Sequence, residues 1–506
     1  VSLAGQIDGI SAAADAAPPA SWHAEQTKLS RITGAPMELF LDAGDERSLT
    51  TQLYDQIRRA ITDGRLPAGA RLQPSRAVAQ ALGIARSTVT DAYARLTAEG
   101  YAEGRRGGGS VVLGHDAPQP ELPEAPTALA PTARAATVRR YGVGLESHPR
   151  YDLTAGRVDP RLFPLADWRR CTNRALTSLA RDFGHYSDPA GSIELRRTLT
   201  HWVARSRGIA TTADQIVVTH GAGHATDLLA RVLLRPGDVA AVEEPGYPPI
   251  TGLLRSQGIE VVGVPVDEHG MVVDALPDAA RLVHVTPSHQ YPLGAVLSRQ
   301  RRLALLRWAG RRGAAVIEDD YDSEFRYLNR PLEPLHLLDR DGVVVYVGTF
   351  SKMLSPALRI GFAVVPPGLV PAITALRQAV DFGVPPVTSQ TLRTFIEDGH
   401  LDRHLRRARK VYARRYRALR TAVSSLPDSG FTPLPGQAGL HMTLLAPDEP
   451  DDGELDVRST RQGLQLSSLR RTYQHSPPRA GLVLGFGAIP TPDIPDAIKL
   501  LTSLYR

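Results

Sequence analysis

Between about His115 and Arg139 the chain runs HDAPQPELPEAPTALAPTARAAT, a stretch rich in proline and alanine with no apolar periodicity. Such a segment has no face to bury and behaves as a semi-rigid spacer. It rules out one continuous core and splits the 506 residues into two unlike halves. Residues 48–114 read as a compact helical unit ending in a Gly-rich hairpin, and residues 115–150 as the linker. Residues 1–47 open without a basic leader or an unbroken apolar run, so they read as a flexible tail and not a signal peptide.

Residues 151–506 alternate strands with helices. IVVT precedes GHATDLLARVLL, VAAVEE precedes ITGLLRSQG, and RLVHVT precedes RRLALLRWAGRRG; AAVIED and VVVYVGT follow. This order predicts a largely parallel sheet covered by helices. From about Asp381 the pattern turns helical and then mixed, as in a smaller C-terminal α+β subdomain. No apolar run approaches the roughly 20 residues of a membrane span. The single cysteine, Cys171, excludes an internal disulfide framework and fits a reducing cytoplasm. A net charge of +6 permits a polyanionic partner.

In the small unit, LTTQLYDQIRRAITDG sets Leu53, Ile57 and Ile61 at helical spacing, with Gly64 as a stop. A second helix begins near Pro74-Ser75-Arg76 and ends at Gly83, and a third runs from about Ala85-Arg86-Ser87-Thr88 to Gly100. Two short helices joined by a glycine turn predict a helix-turn-helix, and RRGGGSVVL a wing; a small helical interaction module is the plain alternative. Ser48 to His115 carries nine arginines against five acidic residues. The run from LYDQIRR to GGGSVV resembles the winged helix of GntR-type transcription regulators, above all in PSR, ARSTV and the wing. The resemblance implies that Arg76 and Arg86 reach double-stranded operator DNA, that Ser87 and Thr88 open the recognition helix, and that Gly107, Gly109 and Ser110 follow the backbone. Gln73 and Ala85 depart slightly from that pattern.

Only four lysines, Lys28, Lys352, Lys410 and Lys499, stand among 59 basic residues. Arginine cannot serve as an amine nucleophile, so a retained lysine invites attention. Lys352 follows an apolar strand and the hydroxyl of Ser351, with Arg359 seven residues on. An amine, a hydroxyl and a fixed cation suit an aldehyde cofactor that bears a phosphate. Five polar clusters, THGAGH, EEPGY, TPSHQYP, EDDY and TFSK, each end a predicted strand, where open α/β sheets bind ligands. Together they contain the lysine, carboxylate, hydroxyl and phosphate ligands that pyridoxal 5'-phosphate chemistry needs.

DLTAGRVDPRLFPLADWRR, YSDPAGSIELRR, VEEPGYPP, TPSHQYPLG, IEDDYDSEFRY and GTFSKMLSPALRIGF resemble the fold-type I aminotransferases. With the winged helix, the chain from about Leu49 onward resembles a MocR/GabR-type regulator. The implied fold is a mostly α winged helix-turn-helix joined to a large α/β domain of fold-type I aminotransferase type with the smaller α+β subdomain. By the resemblance, Lys352 would form the Schiff base, Asp319 would pair the pyridine nitrogen, Tyr321 would donate to the ring oxygen and Tyr247 would stack on the ring. Ser351, Arg359, Ala222 and Gly223 would hold the phosphate, and Tyr186 would add its hydroxyl across a homodimer. Two departures bear on activity. Tyr291 stands where aminotransferases place an asparagine, with His289 and Gln290 as candidate substitutes, and Val483 stands where they bring an arginine to the substrate carboxylate, with Arg479 four residues away. Asp320 and Asp322 read as structural or surface carboxylates.

Three functions follow. The first is a regulator that senses pyridoxal phosphate, or an imine it makes with an amino-acid-type effector, and so controls vitamin B6 supply. The second is a working aminotransferase with a DNA-binding domain. The third is a DNA-binding protein whose large domain only dimerises.

Overall fold

The computed structural model describes residues 30–31, 39–42, 44–45, 47–105, 109–113, 149–327, 333–424, 426, 430–436, 438–446 and 452–505. The expected tail lies mostly, and the expected linker almost wholly, outside these residues. The chain divides into two compact units, Val1–Leu129 and Ala130–Arg506.

In the first unit two short strands, β1 (Ser30–Arg31) and β2 (Phe40–Leu41), pair antiparallel ahead of helix α1 (Leu49–Thr62). The Ser48 hydroxyl caps α1 by accepting from the Thr51 N–H at 3.2 Å. Leu53, Ile57 and Ile61 bury the inner face of α1, as their spacing predicts. Helices α2 (Ser75–Leu82) and α3 (Arg86–Ala98) close the core with Val78, Leu82, Val89 and Leu96. Each such side chain contributes roughly 1.5–3 kcal/mol when fully buried. The Tyr93 hydroxyl donates to the Gln73 carbonyl at 2.9 Å, tying α3 to the turn before α2. Strands β3 (Ala102–Arg105) and β4 (Gly109–Val112) form the wing hairpin; Gly107 lies outside the described residues.

The second unit begins with β5 (Tyr151–Asp152), α4 (Leu165–Leu179) and α5 (Ile193–Arg207). An eight-stranded sheet follows: β6 (Ile216–Thr219), β7 (Val239–Glu244), β8 (Glu260–Asp267), β9 (Gly270–Met271), β10 (Ala280–Val285), β11 (Ala315–Asp320), β12 (Val344–Thr349) and β13 (Gly361–Val364). Its order is β6-β13-β12-β11-β10-β7-β8-β9. Strands β8, β7, β10, β11 and β12 run parallel, while β13 inserts antiparallel between β12 and β6. Helices α6 (Ala222–Leu233), α7 (Pro248–Ser256) and α8 (Arg299–Arg312) connect them. Strands β6, β10, β11 and β12 are buried almost throughout, which is why they read as unbroken apolar runs. The sequence pattern leaves out β8, whose Gly263 and Pro265 read as loop punctuation.

The short helix α9 (Leu335–Leu338) precedes β12 and the single turn α10 (Phe350–Met353) follows it; beyond the sheet come α11 (Val370–Val380), α12 (Pro386–Glu397) and α13 (His400–Ser424). A three-stranded sheet of β14 (Thr432–Pro433), β15 (His441–Leu445) and β17 (Gly481–Gly485) completes the C-terminal part, with α14 (Asp452–Arg461), β16 (Leu464–Gln465) and α15 (Ile494–Leu504). Among the described residues no helix is long and apolar enough to cross a membrane.

Candidate DNA interface and cofactor-type cavity

On the small unit, Arg76, Arg86 and Ser87 are exposed and Thr88 is half-buried. Helix α3 has Ala85 as its N-cap, which offers no side-chain acceptor; the Ala85 carbonyl takes the Thr88 N–H at 3.1 Å, and the N–H groups of Arg86 and Ser87 meet no side chain of the cap residue. An uncapped helix start beside a guanidinium suits a phosphate. Among the described residues the Arg86 side chain reaches only the Ser75 hydroxyl, at 3.4 Å. Gly109 is exposed and Ser110 half-buried in β4.

On the large unit, a cavity of about 1330 Å3 opens at the carboxyl ends of the parallel strands. Its wall includes Lys352, Asp319, Tyr321, Tyr247, Tyr291, Ser351, Arg359, Ala222 and Gly223. Nine of the ten expected cofactor-site residues therefore meet at one place. The exception is Tyr186, which is 82% exposed, stacks on Phe382 with ring centroids 4.4 Å apart, and is off this wall.

Lys352 projects from α10, the single turn after β12, and its Nζ donates to the Gly156 carbonyl at 2.6 Å. Burial lowers its pKa against the opposing pull of Asp322 and Asp319, and Arg359 lowers it further. A lysine so placed loses its proton more easily, as a nucleophilic amine must. Gly156 sits at φ +84°, and a Cβ there would come within 3.0 Å of that Nζ, so a larger residue would crowd the amine.

Asp319 ends β11. Burial, with help from Asp320 and Asp322, pushes it up to about 7. Its Oδ1 is buried and finds no hydrogen-bond partner among the described residues, while Oδ2 is 3.6 Å from Nε2 of His284. Burial pushes His284 down to about 4, so that imidazole is neutral. An orphaned carboxylate oxygen on a cavity wall calls for a donor, and a protonated ring nitrogen supplies one.

At the phosphate end, the Cβ position of Gly221, the N-cap of α6, lies 3.7 Å from both terminal nitrogens of Arg359. Arg359 itself is held at φ 47°, a left-handed conformation costing about 1–3 kcal/mol in a non-glycine residue. Thr349 joins this group unannounced by the sequence reading: its hydroxyl donates to the Ser351 hydroxyl at 3.0 Å and accepts from the Ser351 N–H at 3.2 Å. Helix start, guanidinium and hydroxyls together form an anion cradle.

The Tyr321 hydroxyl donates to the His289 carbonyl at 2.9 Å and must turn from it to reach a ring oxygen. Tyr247 is half exposed and meets Tyr291 edge-on at 5.6 Å. Asp322 is not at the surface: it is buried on the cavity wall and accepts from Nδ1 of His289 at 3.0 Å. Asp320 is structural, paired with Arg207 at 2.8 Å and accepting from the Tyr346 hydroxyl at 2.6 Å. Gln290 is spent on the Pro245 and Tyr291 carbonyls, and neither it nor His289 is on the cavity wall, where Tyr291 stands instead. Val483 is fully buried in β17 and Arg479 is exposed; neither lines the cavity. Arg150, Arg157 and His441 do, and the sequence reading named none of them. The signal available was the position of Arg157 directly after Gly156 in the quoted TAGRVDP run.

Residues 49–112 match the gntR family of bacterial regulatory proteins, and residues 152–464 match the class I and II aminotransferases. Over its length the chain is 34% identical to a probable rhizopine catabolism regulatory protein, MocR, of Rhizobium meliloti, covering 92% of this chain and 96% of that one. It is 32% identical to the pyridoxine biosynthesis transcriptional regulator PdxR of Corynebacterium glutamicum, covering 90% and 95%. The kynurenine aminotransferase of Pyrococcus horikoshii, solved in complex with PMP, superimposes on 71% of this chain and 91% of its own at a TM-score of 0.65 and 27% identity.

Proposed function

Because the chain belongs to the MocR-type transcription regulators, in which a GntR-family winged helix is joined to an aminotransferase-like domain, we propose that its cavity binds pyridoxal 5'-phosphate covalently through the Lys352 amine and that the bound cofactor, or an amine adduct of it, sets operator binding. The observation that carries this reading is the buried, unpartnered Oδ1 of Asp319 on the same wall as the Lys352 amine and the anion cradle of α6 and Arg359. When bound, the cofactor supplies an electrophilic carbon and an electron sink. Lys352 holds it, Asp319 keeps its ring nitrogen protonated, and Ser351, Arg359, Ala222 and Gly223 orient it by the phosphate. Tyr247 and Tyr291 flank the ring, and Tyr321 serves the ring oxygen.

Arg76, Arg86, Ser87, Thr88, Gly107, Gly109 and Ser110 contact duplex operator DNA. The protein acts as a homodimer, with Tyr186 exposed for a second copy. Its resemblance to the pyridoxine regulator supports control of vitamin B6 supply. The rival reading, an active aminotransferase carrying a DNA-binding domain, draws on the same complete lysine, aspartate and arginine set. Val483 argues against it, since valine cannot fix a carboxylate in orientation.

Purified protein supplied with pyridoxal phosphate is expected to be yellow, and the visible band to be lost in Lys352→Ala. Protein that stays colourless would exclude the cofactor. Steady-state transamination at about 1 per second or faster, the ordinary range of enzymes, would favour the rival.

A further inference from the structure

Cys171, the only cysteine of the chain, lies on α4 with 1% of its surface exposed. Across from it, Asp398 caps the end of α12 and His400 opens α13, with Gly399 between them at φ +70°. Glycine takes that left-handed turn without strain, and the turn sets both flanking side chains against α4. A thiol, a carboxylate and an imidazole thereby bring one donor atom each to within 4.8 Å of the other two. Donors bound at about 2.0–2.3 Å to one tetrahedral ion stand roughly 3.3–3.8 Å apart, so a closure of up to about 1.5 Å completes the set. The imidazole is held in place for this: its ring stacks on Phe395 at 5.4 Å, and Phe395 packs on Trp168 of α4 at 5.5 Å.

Nδ1 of His400 is 3.5 Å from Oδ1 of Asp167, one turn before Cys171 on α4, while Nε2 lies 3.9 Å from Oδ2 of Asp398. A histidine that gives one ring nitrogen to a metal commonly donates its other N–H to a carboxylate, and Asp167 stands in that place for a metal on Nε2. Arginines cover the ligands from the solvent side. Arg174 donates to Oδ2 of Asp398 at 2.6 Å, which leaves Oδ1, and Arg170 pairs with Asp167. Arg403 donates to Nδ1 of His400 at 2.7 Å and to the Asp398 carbonyl at 3.2 Å. A metal on Nε2 places the ring proton on Nδ1, so Arg403 yields that nitrogen to Asp167 and keeps the carbonyl. The Arg170 and Arg174 side chains are 64% and 65% exposed, so water screens their charge from an incoming ion.

Thiolate, imidazole and carboxylate together select zinc and its borderline neighbours over magnesium or calcium, which take oxygen donors. Burial holds the Cys171 pKa above its ordinary value, so the thiol keeps its proton until a metal replaces it. We propose that Cys171, Asp398 and His400 bind a zinc-type divalent ion, with Asp167 orienting His400 and a water molecule in the fourth position. Binding exchanges the S–H bond for a sulfur–metal bond and releases the thiol proton to solvent. The ion ties α4 to the turn between α12 and α13, and the site stands apart from the cofactor reading.

Because Cys171 is the only thiol, a thiolate-to-cobalt charge-transfer band can come from no other residue. Full-length protein, reduced and freed of metal, would be titrated with cobalt(II), and its difference spectrum against metal-free protein followed. The native chain is expected to show that band, saturating with a single ion per chain and abolished by added zinc. Cys171→Ser should remove the band. Asp167→Asn should keep it while lowering cobalt affinity ~10–100-fold, the usual loss for an outer partner of a ligating histidine. His400→Gln and Asp398→Asn should lower the affinity further. Absence of the band from native protein, or its persistence at native affinity in both His400→Gln and Asp398→Asn, would overturn the proposal. The native titration needs no variant, so a substitution that fails to fold leaves the test standing.

Discussion

Among the described residues Arg86, at the start of α3, stands in solvent with a single 3.4 Å contact to the Ser75 hydroxyl, whereas Asp319, near the end of β11, is 7% exposed and keeps an oxygen without a partner. The two residues illustrate two ways of storing a binding function. The winged helix shows its ligand a row of ordinary solvated charges, and its stability rests on other residues: Leu53, Ile57, Val89 and Leu96 pack while Arg76 and Arg86 do not. The strand-end cavity keeps Asp319 buried and partly neutralised, and burial pushes it up to about 7, as it does Glu243 and Glu318 in the strands behind. Mutations on the first surface should change binding alone. Mutations in the second should change binding and stability together.

The largest effect separates the two regions most cleanly. Arg76→Ala and Arg86→Ala should each weaken operator binding by ~1–3 kcal/mol if the arginine reads a base, or lower the salt slope by about one if it meets a phosphate. Either way the visible spectrum and the melting temperature should stay as in the native protein. Band-shift titrations at two salt concentrations, with an absorption spectrum of each variant, check this. A variant that loses operator affinity only by losing its fold would break the contrast.

The same contrast explains what the sequence makes legible. The winged helix is written in contiguous residues, with a helical period, a Gly83 stop and a Gly-rich hairpin, so local rules are enough to find it. The parallel strands are legible because burial on both faces gives unbroken apolar runs, and their ends mark the rim where Lys352, Asp319 and Tyr321 gather. What escaped depends on packing between distant segments. Thr349 turns inward to serve Ser351, Asp322 is drawn inward onto His289, and Arg157 owes its place to Gly485 and Gly487, some 330 residues on. No periodicity records such contacts. The antiparallel β13 escaped for the same reason, since its direction is set by its neighbours β12 and β6.

A smaller effect should show the cost of the buried site. An aspartate whose folded pKa is raised keeps its proton in the native state between about 4 and about 7. Its contribution to stability is complete below the unfolded value and is lost as pH rises through about 7. Glu243 and Glu318 act in the same sense. Cofactor-free protein should therefore be less stable at pH 8 than at pH 6. Asp319→Asn should raise its stability at pH 8 by about 1–3 kcal/mol, the scale of an unmet buried group, and flatten part of the pH slope. The same variant should bind pyridoxal phosphate less tightly, because a neutral amide does not hold the ring nitrogen protonated. Denaturant titrations at the two pH values give the answer, and an unchanged slope would mean that Asp319 is ionised without the cofactor.

The smallest effect tests whether the two regions melt apart. Tyr93→Phe removes the hydroxyl that donates to the Gln73 carbonyl at 2.9 Å and leaves that acceptor unpaired in a half-buried turn. The ring stays, so core packing in the small unit is kept and the loss should be about 1 kcal/mol. In a domain of ~60–100 residues that lowers the midpoint by about 4–8 °C. Because the two units form separate compact bodies of the chain, calorimetry should show only the small unit's transition moving, with the cofactor-stabilised one in place. If both move together, the chain unfolds as one block, and the separation of an exposed binding surface from a buried one would hold for chemistry but not for stability.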